Sequence, residues 1–295
     1  MRTILLTGAS GQVGWELART LSTLGRVVTP GHAEFDLARP GTLAAAVREI
    51  RPDLIVNPAA YTAVDKAESE QELAYAVNAQ APHVLAKEAR RLGITLVHYS
   101  TDYVFDGTRT GAYTEEDEPH PLGVYGASKQ AGEELVRASG ADHLIFRTSW
   151  VYGLRGRNFL LTIERLARER DKLAVVADQF GAPTWARSIA EATAQVLALW
   201  LAPGATADDR RRLSGIYHMS CGGRVSWHGF AAAILENLEA RGEKIPALKA
   251  ITTAEYPTPA RRPANSVLCN DKLEKTFGVR LPEWEDALAL CLARA

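Results

Sequence analysis

Tyr125 and Lys129 stand four residues apart in Gly123-Val124-Tyr125-Gly126-Ala127-Ser128-Lys129. On a helix that spacing puts both on one face, so a phenol and an ammonium can share a pocket. A free tyrosine titrates near about 10, and a cation held beside it favours the phenolate, bringing the group closer to the range useful for general acid–base work. The same spacing occurs on solvated helices, so the pair acquires meaning only from the rest of the chain. The N-terminus supplies it. Ile4-Leu5-Leu6 reads as a strand, Thr7-Gly8-Ala9-Ser10-Gly11-Gln12-Val13-Gly14 as a glycine-rich turn, and Trp15 to Leu21 has helical apolar spacing. Gly8 permits the tight turn, Gly11 lets the backbone approach a pyrophosphate, and Gly14 allows close helix–strand packing, with Gln12 and Val13 in the same cofactor-binding turn. The glycines run Gly-x-x-Gly-x-x-Gly, one residue longer between the first two than in the commonest fingerprint. A dinucleotide turn together with a phenol–amine pair points to hydride transfer.

Such residues need a scaffold, and the chain offers one. Val27-Val28, Leu54-Ile55-Val56, Ile94 to Val97 and Leu144-Ile145-Phe146 are strand runs alternating with helical stretches at Leu43–Arg51, Ala81–Leu92 and Ala131–Ala138. This alternation predicts an α/β fold, a Rossmann-type doubly wound parallel sheet, over residues 1–150. Gly25, Pro52, Gly93 and Gly140 mark the helix ends. Beyond Trp150 the pattern loosens, prolines gather at 257, 259 and 263, and helices near Trp227–Arg241 and Trp284–Ala293 suggest a smaller substrate-binding lobe over 151–295, with returns to the sheet from about 184–220. The acidic run Glu115 to Glu118 reads as a solvated loop.

In such folds ligands lie beyond the carboxyl ends of the strands. There the chain places Phe35-Asp36-Leu37, in which Asp36 and Leu37 can bracket an adenine, and Asn57-Pro58-Ala59-Ala60-Tyr61-Thr62, whose small side chains let a cofactor lie against the backbone. His98-Tyr99-Ser100-Thr101-Asp102-Tyr103-Val104-Phe105 brings a hydroxyl and a carboxylate, and Arg147-Thr148-Ser149-Trp150-Val151-Tyr152 follows the fifth strand.

Composition narrows the partners. With 34 basic and 35 acidic residues the net charge is −1, so no global field favours nucleic acid or an anionic membrane, and a small-molecule substrate is expected. Three widely spaced cysteines, Cys221, Cys269 and Cys291, form neither a disulfide framework nor a thiolate metal site, which points to a reducing cytoplasm. The longest apolar run, Val196 to Ala202, is too short to span a bilayer, and no signal peptide is expected.

Six segments carry a resemblance over nearly the whole chain: Gly11 to Leu17, Ala63-Val64-Asp65-Lys66-Ala67-Glu68, His98 to Phe105, Phe146 to Tyr152, Asp178-Gln179-Phe180-Gly181-Ala182-Pro183-Thr184 and Pro257-Thr258-Pro259-Ala260-Arg261-Arg262-Pro263. The chain resembles the extended short-chain dehydrogenases/reductases and, within them, the dTDP-4-dehydrorhamnose reductase family. The resemblance implies NAD(P)H-dependent reduction of the 4-keto group of dTDP-6-deoxy-L-lyxo-4-hexulose, a dTDP-linked sugar. It implies Tyr125 as proton donor, Lys129 tuning Tyr125 and holding the nicotinamide ribose, and Thr101 bonding the keto oxygen. Asp102 and Trp150 fall where the family contacts the sugar, and Asn158, Gln179 and Arg261 are candidates for the nucleotide or diphosphate.

Two departures matter. Val27-Val28-Thr29-Pro30-Gly31-His32 carries no carboxylate at the turn, although Glu34 or Asp36 can substitute, so NADPH is expected over NADH. Some relatives bridge a dimer contact with a metal held by carboxylates; Glu16 matches one position, but Arg187 stands where another is expected, so no metal is predicted, in a monomer or homodimer. His218, Cys221 and His228 fit no zinc spacing. The competing readings are a sister reductase making dTDP-6-deoxy-L-talose and a non-catalytic NADP-binding subunit resembling the regulatory partner of methionine adenosyltransferase.

Overall fold

The computed structural model describes residues 1–293. Its centre is a six-stranded sheet of β1 (Thr3–Leu6), β2 (Arg26–Val28), β3 (Leu54–Asn57), β4 (Thr95–Thr101), β5 (His143–Thr148) and β6 (Gly215–His218). The order is β6-β5-β4-β3-β1-β2, every pair parallel. The chain direction across the sheet reverses between β1 and β3, which makes the cleft above them the switch point where such sheets bind ligands.

Strand periodicity explains why both faces are covered. Ile4 and Leu6 join one apolar cluster, which continues through Tyr152, Leu160 and Phe230 to Trp284. Leu5 joins the other, with Ile55, Leu96 and Ile145 packed under Leu43, Val47 and Leu85. Alternate side chains point to opposite faces, so a run without polar residues needs helices on each side. Those helices include α1 (Gln12–Thr20), α2 (Pro40–Ile50), α3 (Ala81–Leu92) and α4 (Val124–Ala138).

The two central strands are longer than the apolar runs suggest. β4 extends through His98, Tyr99, Ser100 and Thr101, and β5 through Arg147 and Thr148. These polar residues were expected in loops beyond the strands. They stay in the ladder because Leu96 to Thr101 pair in register with His143 to Thr148, and the side chains of His98, Tyr99, Thr101 and Arg147 find buried partners. The helix expected from Ala131 starts at Val124, so Tyr125 sits in its first turn. Gly126 makes that seat possible: a methyl there would collide with the Tyr103 carbonyl oxygen, so only glycine lets α4 lie this close to the end of β4.

A π-helical turn at Ala76–Gln80 leads directly into α3. It turns Asn78 inward, where the side chain accepts from Tyr61 N at 2.8 Å and donates to Tyr61 O and Ser128 Oγ at 3.0 Å each. The loop after β3 is thereby tied to α4. After β5 the chain builds α5 (Phe159–Glu169), α6 (Ala186–Trp200), α7 (Trp227–Ala240) and α8 (Trp284–Leu292), with a parallel pair Lys172–Val176 and Ala247–Ile251 beside the main sheet. Within Glu115–Glu118, expected to be a solvated loop, Glu115 instead accepts the His218 backbone N–H at 2.7 Å, satisfying the end of edge strand β6. Among the described residues no helix is long and apolar enough to cross a membrane.

Candidate active site

A cavity of about 640 Å³ opens above β1, β3 and β4, and a second of about 540 Å³ above β2 shares Gly8, Ser10, Ala59 and Ala60 with it. The two form one groove from the β2 edge to the centre of the sheet. Gly8 lines the shared region, and Gly11, Gln12, Val13 and Gly14 line the central cavity beside it. Helix α1 begins there with Gly11 at its N-cap, without a side-chain cap or an acidic residue in the first turn. Its free N–H groups and positive dipole end therefore suit an anion. A methyl on Gly14 would strike the Gly8 carbonyl oxygen, so the tight turn depends on glycine at that position. The residues fit a dinucleotide. Asp36, Leu37 and Tyr61 line the β2 end, Thr62 the central end, and Ala59 and Ala60 both.

Thr101, Asp102, Tyr125, Lys129 and Trp150 converge on the central cavity. Thr101 Oγ1 donates to Asp102 Oδ1 at 3.0 Å, and Ser149 Oγ donates to Asp102 Oδ2 at 3.0 Å. Burial raises the Asp102 carboxyl to about 6, opposed by its hydroxyl donors Ser266, Ser149 and Thr101. Burial also pushes the Tyr125 phenol up to about 12; the Thr101 hydroxyl pulls it back, and the Asp102 charge adds to the rise. Lys129 is lowered to about 8 by burial, with the Glu133 charge opposing. Its Nζ donates to Tyr99 O at 2.5 Å and meets His98 Nε2 at 3.4 Å.

This corrects the sequence expectation for the pair. The helical spacing does bring Tyr125 and Lys129 into one cavity, but the ammonium is turned to the β4 backbone and desolvation governs the phenol. Tyr125 therefore keeps its proton across the neutral range.

Three candidates do not reach the cavity walls. Asn158 caps α5, accepting from Leu161 N at 3.0 Å, while its Nδ2 donates to Gln12 Oε1 at 2.7 Å and to Gly153 O at 2.8 Å. Gln179 is buried and donates to Thr253 Oγ1 at 3.1 Å. Arg261 is exposed beside a small recess near Gly123; its neighbour Arg262 is the one tied down, to Asp65 at 2.8 Å. For Asn158 and Gln179 hydrogen bonding to other elements turns the side chain elsewhere, while Arg261 stays exposed.

Sequence reasoning missed Trp227, Gly156 and Arg157, which also line the cavity. Trp227 stacks face to face on Trp150, centroids 3.4 Å apart and planes 4° from parallel. Trp150 holds a φ of 46°, a costly conformation for a bulky residue, and Gly181 leaves room for its indole ring. Nothing local to Trp227 signals this role, because 77 residues separate it from Trp150 and only the packing of α7 joins them. Arg187 pairs with Glu191 at 2.8 Å, and its guanidinium also senses the charge of Glu16. Among the described residues no group of three or more His, Cys, Asp or Glu side chains is arranged to hold a metal.

Comparison with known proteins identifies the family. The family model for the RmlD substrate binding domain matches residues 1–295. The dTDP-4-dehydrorhamnose reductase of Burkholderia thailandensis is 53% identical over 293 residues, covering 98% of this chain and 97% of the relative. That of Escherichia coli K12 is 46% identical over 290 residues, covering 96% and 94%. Among solved structures, the dTDP-4-dehydrorhamnose reductase of Bacillus anthracis in complex with NADP superposes with a TM-score of 0.87 at 35% identity, covering 98% of each chain. A match over the full length, with the phenol, ammonium and hydroxyl gathered at the switch-point cleft, places the chain in the RmlD substrate binding domain family, that of the dTDP-4-dehydrorhamnose reductases.

Proposed function

We propose that the protein reduces the 4-keto group of dTDP-6-deoxy-L-lyxo-4-hexulose to give dTDP-L-rhamnose, using NADPH. The observation that carries this reading is the convergence of Thr101, Tyr125 and Lys129 on one cavity continuous with the dinucleotide groove, in a chain 53% identical to a named reductase. Bound NADPH supplies the hydride. Tyr125 gives its proton to the keto oxygen as negative charge develops there, the change that most needs stabilisation. A phenol held near 12 is protonated before the reaction and ready to act as an acid. In the resting site the Thr101 proton is spent on Asp102; rotation of the hydroxyl aims it at the keto oxygen, while Ser149 keeps the carboxylate in place. Lys129 offers a donor to the nicotinamide ribose. Trp150, braced by Trp227, forms an aromatic wall for the sugar.

The test is product analysis. The dTDP-4-keto sugar is supplied with NADPH or NADH and the product sugar identified by NMR. dTDP-L-rhamnose is expected. dTDP-6-deoxy-L-talose would assign the sister reductase, and coenzyme binding without turnover a non-catalytic subunit.

Coenzyme choice gives a second expected outcome. Gly31 lines the β2 end of the groove, and a side chain there has room, since the nearest atom to an added methyl is Glu34 Oε2 at 3.9 Å. Gly31→Asp should weaken NADPH relative to NADH by roughly tenfold at low salt, equivalent to about 1.4 kcal/mol of charge repulsion at the 2′-phosphate. The ratio should shrink as salt rises. Unchanged preference at low ionic strength would remove Gly31 from the adenine-ribose site.

Metal independence is the third expected outcome. A divalent cation beside Arg187 would face a guanidinium already paired with Glu191, and Glu16 alone cannot replace its water shell. Turnover and solution mass should be the same in excess EDTA as with added Mg²⁺. Loss of both on chelation, restored by Mg²⁺, would show that other carboxylates rebuild the site.

A further inference from the structure

His98 on β4 is fully buried under the active site and takes no part in the proton transfer above. Its Nε2 lies 3.4 Å from Lys129 Nζ, and its Nδ1 lies 3.1 Å from the side-chain amide of Asn57, its register partner on β3. The amide nitrogen is the end placed at His98, and the amide oxygen accepts from Thr7 Oγ1 at 2.6 Å, just past β1 where the glycine turn begins. Thr7, Asn57, His98 and Lys129 thus form a polar row across three adjacent strands, none more than 2% exposed. Such a row persists in a core only when its donors and acceptors match.

An ammonium has three donors and no acceptor. The Tyr99 carbonyl oxygen takes one at 2.5 Å. We propose that His98 accepts the second through Nε2, and is the positioning residue that aims the third Lys129 donor out of the sheet into the active-site cavity.

The proton pattern follows. A nitrogen meeting an ammonium presents a lone pair, so His98 is neutral with its proton on Nδ1. Burial first, and the Lys129 charge second, hold this imidazole well below its ordinary range. The Nδ1 proton then needs an acceptor; as placed, Asn57 turns Nδ2 to His98 and Oδ1 to Thr7, so the proposal requires this amide turned over, with Oδ1 taking the Nδ1 proton and Nδ2 donating to Thr7 Oγ1. The two ends of an amide are alike in shape, and its orientation is assigned from the hydrogen bonds around it. The opposite orientation, nitrogen toward Nδ1, satisfies the row only when Lys129 is uncharged and accepts from Nε2–H. The other charged groups near the ammonium are Glu133, one turn further along α4, and Arg147, which pairs with Glu133.

Two measurements test the positioning role, which rests on the reductase reading for its kinetic half alone. Two-bond ¹H–¹⁵N NMR of the wild-type protein at pH 6, below the value of about 8 at which Lys129 loses its charge, should show the neutral Nδ1–H tautomer of His98. An Nε2–H tautomer or an imidazolium there would overturn the proposal. His98→Leu should lower kcat about tenfold or more, since small misplacements of a reacting group are costly, while coenzyme Kd changes by less than about threefold. His98→Gln restores an acceptor at similar reach and should bring kcat back to within a few-fold. Wild-type kcat in a folded His98→Leu protein would also overturn the proposal. If His98→Leu does not fold, the tautomer alone decides. Absence of turnover by the wild-type enzyme would sink the reductase reading and leave the tautomer test standing.

Discussion

Tyr125→Phe should turn over about 10²- to 10⁴-fold more slowly than the wild type, with NADPH affinity changed by no more than a few-fold. The asymmetry comes from where Tyr125 sits. Its ring lies at the cavity wall, edge-on to Tyr103 with centroids 5.8 Å apart, and phenylalanine preserves that contact. The missing atom is the proton donor. Most of the coenzyme groove is formed by the glycine turn and the loop after β3, which the substitution leaves unchanged, so binding should survive. Thr101→Val should cost less, because it deletes an assisting hydrogen bond and leaves the proton source in place. Single-turnover rates and coenzyme titrations on both proteins provide the check. Near wild-type turnover by folded Tyr125→Phe would remove Tyr125 from the chemistry, and a larger loss in Thr101→Val would reverse the two roles.

Glu133→Ala is expected to destabilise the fold by about 3–5 kcal/mol, the cost of leaving a buried charge without its partner. Glu133 and Arg147 are 3% and 2% exposed and joined by two parallel bonds, Nε to Oε1 at 2.9 Å and Nη2 to Oε2 at 2.6 Å. Arg147 also lies over the Phe105 ring at 5.0 Å, and its Nη1 has no other hydrogen-bond partner, so little remains to hold the cation once the carboxylate is gone. The pair joins α4, which carries Lys129, to β5. Replacing both partners with apolar residues of similar size should recover much of the loss, because no lone charge stays behind. Urea denaturation of the single and double variants measures both effects. A single variant within about 1 kcal/mol of wild type would mean that Arg147 finds water or another acceptor.

How much of this was legible in the chain divides along physical lines. Local spacing fixed the strand–turn–helix at the N-terminus, because each glycine there meets a requirement of its immediate neighbours. Apolar alternation gave the parallel sheet, since every buried strand needs a helix on each face. The i, i+4 relation placed Tyr125 and Lys129 in one cavity. These are properties of short segments, and a sequence states them directly.

The tertiary structure decided the rest. Spacing predicts a cation beside a phenol; only packing shows the ammonium bonded to the Tyr99 carbonyl and the phenol raised by desolvation. The polar runs at His98–Thr101 and Arg147–Thr148 look like loops until the β4–β5 register pairs their backbones and Asn57, Thr193 and Glu133 meet the side chains of His98, Tyr99 and Arg147. Asn158, Gln179 and Arg261 carry suitable chemistry, yet a cap, a bond to Thr253 and an exposed position keep them from the cavity walls. Trp227 gave no local sign of its place against Trp150. A side chain's type and its segment are local facts, whereas its direction depends on hydrogen bonds and contacts from distant parts of the chain, which only the folded structure brings together.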